Sequence, residues 1–245
     1  MYIVLGRIGI GMLPTMKWLG LIGGTTWHST QVYYSELNKL AAAHGGGLTS
    51  AKLILVSVDF AEVARNQANG ELEPNEGIIL NAADRLKAAG AEGIVLCANT
   101  MHHFADRVEK RTGLPVIHIV DAVAKAIEAK GLCKVALLGT KFTMELDFFR
   151  DRLTANGIEW LVPSDADREL LHDSIFEELG KGIFTDATRA EYVRIIEALA
   201  AQGAQGAILG CTEIPLLIKS GDVTVPTFDT TALHVEAASA FAFRA

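Results

Sequence analysis

Short apolar runs recur along the chain at 18–23 (WLGLIG), 52–58 (KLILVSV), 93–97 (GIVLC), 115–120 (PVIHIV), 134–139 (KVALLG), 158–162 (IEWLV), 206–210 (GAILG) and 223–228 (VTVPTF). They are short and rich in Val, Ile and Leu, as strands buried in a parallel sheet are. Between them lie segments of helical character. DRLKAAG (84–90), DAVAKAIEAKG (121–131) and YVRIIEALAAQG (192–203) each end in Gly, which takes a left-handed C-terminal cap without strain. Strands alternating with helices predict an α/β chain built on parallel sheets.

The pattern repeats. LGLIGGTTWHSTQVYYSELN (19–38) matches VALLGTKFTMELDFFRDRLT (135–154) as strand, Gly-Thr turn and aromatic-bearing helix; AGAEGIVL (89–96) matches QGAQGAIL (202–209), and LPVIHI (114–119) matches VPTFDT (225–230). Two similar flavodoxin-like halves are expected, related by a pseudo-twofold axis. Residues 17–117 with 230–245 make the first half, 118–229 the second, and 1–16 an apolar N-terminal extension. Ligands of such sheets sit beyond the carboxyl ends of the strands. A site between facing halves would therefore be lined by 23–26, 97–100, 139–143 and 210–213.

Composition narrows the function. With 245 residues, 50% hydrophobic and 21% charged, the chain can bury a full core and reads as soluble and globular. A net charge of −7 gives no electrostatic case for nucleic acid, and no apolar run is long enough to predict a membrane span. The N-terminal MYIVLGRIGIGMLPT lacks the basic start and cleavage site of a secretory signal, and Met16 is a second candidate start. Cys97, Cys133 and Cys211 form neither a disulfide framework nor a zinc knuckle, which makes a reducing cytoplasm the expected location. Small molecules are the expected partners. Nothing in the chain reads as a Schiff-base lysine or a metal site, so no cofactor is expected.

The candidate chemistry sits in the turns. GGTTWHST follows a strand and opens a helix, where unpaired N–H groups attract an anion such as a carboxylate, with Thr25 or Thr26 adding a hydroxyl. Asn99, Thr100 and Thr212 stand at equivalent helix starts; each alone reads as a cap, and together they converge on one anion. Cys133 reads as a small buried hydrophobe. Cys211 ends a strand where a helix begins, and the helix dipole is expected to lower its thiol pKa toward neutrality, as a proton carrier or nucleophile needs. His102 and His103 are neighbours on one helix and are expected at the surface or behind the site. Glu213 either orients Cys211 or favours the helix N-terminus.

GLIGGTT, CANTMHH, LLGTKFTM and above all GCTEIP resemble the aspartate/glutamate racemase family from about residue 17 to the C-terminus. The resemblance implies two α/β halves facing each other across the site, commonly as a homodimer, and a cofactor-independent reaction on an amino acid. One cysteine thiolate removes the α-proton and a second thiol delivers a proton to the opposite face. Glutamate racemases proper are less similar, with His where this chain has Glu213. Acidic-substrate members also read the distal carboxylate with a basic side chain; Arg65 and Lys181 fall near the expected places.

In the two-cysteine pattern the first cysteine immediately precedes Asn-Thr, and here that position is Ala98. The repeat says the same: Gly90 pairs with Gly203, an offset of 113, which sets Cys211 against Ala98. A one-residue shift along a strand reverses the side chain, so Cys97 is expected to face the core unless a bulge turns it back. The reading is a racemase-family isomerase with Cys211 as acid/base and Thr25, Ala98, Asn99, Thr100 and Thr212 around the substrate. Two alternatives stand beside it: a one-cysteine decarboxylase or isomerase acting on a dicarboxylic acid, and an amino-acid-binding protein without catalysis.

Overall fold

The computed structural model describes residues 15–69 and 72–244, so the first fourteen residues of the apolar extension lie outside the described part. The chain runs β1 (Leu19–Gly23), α1 (Trp27–Gly45), β2 (Leu53–Ser57), α2 (Phe60–Ala68), α3 (Glu76–Ala88), β3 (Gly93–Leu96), α4 (Ala105–Thr112) and α5 (Ile119–Ala129). It continues with β4 (Lys134–Gly139), α6 (Lys141–Glu145), α7 (Asp147–Ala155), β5 (Glu159–Leu161), α8 (Asp165–Glu177), α9 (Asp186–Ala201), β6 (Ala207–Gly210), α10 (Ile214–Leu217), β7 (Thr227–Asp229) and α11 (Thr230–Ala242). The fold is α/β.

Two parallel sheets carry the strands, in the orders β2-β1-β3 and β5-β4-β6-β7. Their inner strands are buried on both faces, which is why β1, β3 and β6 read as unbroken apolar runs. The predicted glycine caps hold: Gly90, Gly131 and Gly203 follow α3, α5 and α9 at φ of 91°, 69° and 97°.

Two predicted strands are shorter than the apolar runs suggested. The 115–120 run gives one bridge, Val116 to Ile94, because Ile119 already opens α5 with His118 as its cap. The 223–228 run narrows to β7, three residues ending at Asp229, which caps α11. These two places are equivalent. Val116 lies beside β3 as β7 lies beside β6, so the sheets share one strand order. His118 accepts from Val120 N, and Asp229 accepts from Thr231 N and Ala232 N.

α5 and α11 then pack against each other, and α11 also packs against α1. The long C-terminal helix thereby ties both sheets together. The carboxyl ends of β1, β3, β4 and β6 carry the four turns that the repeat singles out.

Candidate active site

The turn after β1 needs glycine. Gly24 has φ of 91°, and a Cβ there would lie 2.1 Å from Val58 O. Thr26 then caps α1, its hydroxyl accepting from Ser29 N at 3.2 Å. Thr140 does the same for α6 after β4, accepting from Thr143 N at 3.4 Å. Each threonine caps the helix that follows the first strand of its half.

β3 and β6 supply the other two turns, and strand alternation sorts their side chains. Ile94, Leu96 and Ala98 share one apolar cluster, while Val95 and Cys97 belong to another, with Leu21, Tyr33 and Leu37. In the second half Ala207, Leu209 and Cys211 share a cluster, and Ile208 faces the other way. Cys211 and Ala98 therefore occupy equivalent registers. Cys97 is 1% exposed on the far face, and burial pushes its thiol pKa up.

A cavity of about 160 Å³ opens between the four turns. Thr25, Thr26, Ser29, Ala98, Asn99, Thr100 and Met101 line it from the first half, and Thr140, Gly210, Cys211, Thr212 and Glu213 from the second. All six residues chosen from the sequence thus meet around one space. Phe60 and Gln67 come from α2, and Ile175 and Phe176 from α8. Nothing in their local sequence marks them, since they reach the cavity only through the packing of helices that follow β2 and β5.

Cys211 departs from expectation. Its thiol lies 2.9 Å from Glu213 Oε2, which also takes the Thr212 hydroxyl proton at 2.6 Å. Burial and then the Glu213 carboxylate push the thiol pKa well up, outweighing the Thr212 and Glu213 N–H groups that pull it down. The expected lowering fails for a physical reason: α10 is a single turn of four residues beginning at Ile214, too short and too distant for a strong dipole. Glu213 contacts Cys211 directly and also stands at the N-terminus of α10, so it occupies both of the places the sequence offered.

Asn99 is 6% exposed and donates from Nδ2 to Thr230 Oγ1 at 3.0 Å; Thr230 in turn donates to Leu209 O at 3.1 Å. That chain links the two halves. Lys181 is the one cationic side chain lining the cavity among the described residues, and its Nζ lies 2.6 Å from Glu177 Oε2. Arg65, on α2, is not among the lining residues. His103 does lie near the surface, against Glu73, whereas His102 is fully buried behind the site, because adjacent residues on one turn face different ways. Among the described residues no group of three or more His, Cys, Asp or Glu is placed to hold a metal ion, and no helix is long and apolar enough to cross a membrane.

The sequence profile of the Asp/Glu/hydantoin racemases matches residues 22–238, which spans both halves and all four turns. The chain belongs to the Asp/Glu/hydantoin racemase family. Family members of known structure share the whole architecture. A candidate Asp/Glu racemase from Yersinia pestis is 51% identical with a TM-score of 0.87, over 94% of this chain and 100% of that one. An aspartate racemase homologue from Pyrococcus horikoshii is 40% identical with a TM-score of 0.81, again over 94% of this chain and all of the other. The broad-specificity amino-acid racemase RacX of Bacillus subtilis is 22% identical over 161 residues, 63% of this chain and 66% of its own. Racemases are isomerases, and the family places this chain among them.

Proposed function

We propose that this chain is a cofactor-independent isomerase acting at Cα of a free amino acid, with Cys211 as its proton carrier. The observation that carries the reading is the single thiol facing the cavity, hydrogen-bonded to Glu213, with Ala98 at the equivalent register of the other half. Thr25, Asn99, Thr100 and Thr212 hold the substrate carboxylate among them.

The thiol at rest carries its proton. Glu213 accepts that proton as the thiolate forms, and the thiolate then takes the Cα proton from one face of the substrate. The carboxylate, held among N–H groups and hydroxyls, shares the negative charge left on carbon. Return of the proton from Cys211 restores the original configuration, because the thiol stands on one face only. Inversion needs a donor on the other side, where Ala98 supplies a methyl group.

Lys181 is the feature that favours an acidic substrate. Lys181 can exchange its exposed partner Glu177 for a distal carboxylate on the substrate. Membership of the family supports a homodimer, and three free thiols fit a reducing cytoplasm.

Proton NMR of L- and D-aspartate and of L- and D-glutamate in deuterated water tests the reading. One enantiomer should lose its Cα signal with configuration retained, faster than its mirror image appears. Carbon dioxide release from a dicarboxylic acid without Cα exchange would assign the one-cysteine decarboxylase instead. Binding without either reaction would assign a non-catalytic receptor.

A further inference from the structure

The turn after β3 has two consecutive carbonyls held by side chains of other segments, one by Ser29 at the cavity wall and one by His102 behind it. Ser29 Oγ donates to Cys97 O at 2.7 Å, and His102 Nδ1 lies 2.9 Å from Ala98 O. A carbonyl only accepts, so His102 carries its proton on Nδ1. Its Nε2 is buried without a partner.

Buried rings hold this imidazole in place. It is 2% exposed and packs edge-on against His118 and His234, with ring centroids 4.8 and 5.1 Å away. Both neighbours are committed elsewhere. Tyr33 donates to His234 Nδ1 at 2.8 Å, His234 Nε2 donates to Ile117 O at 2.5 Å, and His118 Nδ1 accepts from Val120 N at 3.2 Å. Burial and the two neighbouring rings keep His102 neutral.

The consequence reaches the cavity through one peptide plane. All peptide bonds among the described residues are trans, and in a trans peptide C=O and N–H point in opposite directions. With the Ala98 carbonyl turned onto His102, the Asn99 N–H is turned the other way, away from His102, and both Ala98 and Asn99 line the cavity. That N–H has no backbone acceptor among the described residues. The second half lacks the device: the offset of 113 that pairs Ala98 with Cys211 sets Pro215 where His102 would stand. The two turns have thus divided their work, one carrying the thiol and the other an anchored N–H.

We infer that His102 is a positioning residue that, through the Ala98 carbonyl, presents the Asn99 N–H to the substrate carboxylate. The inference rests on the reading of this cavity as an amino-acid site.

His102→Asn, His102→Gln and His102→Leu separate positioning from packing. Asn can set an amide N–H near the place of Nδ1, Gln reaches past it, and Leu has no donor. With L-aspartate as probe, His102→Leu and His102→Gln should raise KM for Cα exchange by about tenfold or more, the scale of one lost hydrogen bond to a charged group. Their kcat should stay within about threefold, and His102→Asn should bring KM back toward wild type. The Asn99 amide should shift downfield in ¹H–¹⁵N spectra when L-aspartate or malonate binds to wild type, and less so in His102→Leu. Should His102→Leu fail to fold, the Asn and Gln pair carries the comparison. Equal KM in Asn and Gln variants, or an Asn99 amide unmoved by either anion in wild type, would overturn the inference. Absent Cα exchange with the Asn99 shift intact would overturn the proposed reaction and still support this role for His102.

Discussion

Cys211 Sγ lies 2.9 Å from Glu213 Oε2, so a half-buried thiol and a carboxylate share one proton at the cavity wall. The proposed chemistry turns on that pair. Cys211→Ser should cut turnover by about 10²–10⁴-fold, the range for loss of a general acid/base, while L-aspartate still binds. Unchanged turnover would remove Cys211 from the mechanism. Glu213→Gln takes away the charge that holds the thiol pKa up, so alkylation of Cys211 by iodoacetamide should reach its half-maximal rate at lower pH. The measurement needs a Cys133→Ser background, because Cys133, read from the sequence as a small buried hydrophobe, is exposed on the connection between α5 and β4.

Ala98→Cys places a second thiol at the register of Cys211. Inversion of aspartate should rise toward the rate of Cα exchange, by as much as about 10²–10⁴-fold if the new thiol becomes the far-side donor. Cys97→Ser, on the opposite face, should leave exchange and inversion alone and cost only the burial of a hydroxyl, about 1–3 kcal/mol. Loss of activity in Cys97→Ser with no gain in Ala98→Cys would show that Cys97 is the partner thiol.

Asn99 and Thr212 approach the anion from opposite halves. Asn99→Ala or Thr212→Val should weaken L-aspartate binding by about 1–3 kcal/mol, the cost of a missing hydrogen bond to a charged group, as calorimetry would report. If both variants bind like wild type, these residues serve their turns alone.

Acid should unfold this protein through its buried imidazoles. Burial holds His118 down to about 3, His234 to about 4 and His102 well below the usual range. Arg152 and Asp121 flank His118, and Tyr33 flanks His234. The unfolded chain binds these protons near pH 6.5 and the folded chain only at much lower pH. The stability is therefore whole above pH 6.5 and is lost as pH falls toward 4. Urea titrations should lose about 3 kcal/mol between pH 6 and pH 5 if all three rings contribute. A flat profile across that interval would show that the cluster takes up protons without unfolding.

Strand periodicity and the internal repeat were open to reading because they are local. A strand buried on both faces must be apolar throughout, and a side-chain period of two makes the one-residue offset between Cys97 and Ala98 visible in the letters alone. The offset of 113 sets Ala98 against Cys211, and the apolar clusters they join place them alike. The tertiary structure decided what depends on long-range neighbours. It brought Phe60, Ile175 and Phe176 to the cavity from helices whose local patterns carry no mark of it. It turned His102 inward and His103 outward, since only packing says which face of a turn is covered. It also reversed the direction of the Cys211 pKa, because a thiol's charge is governed by burial and the nearest carboxylate, and the helix after it is one turn long.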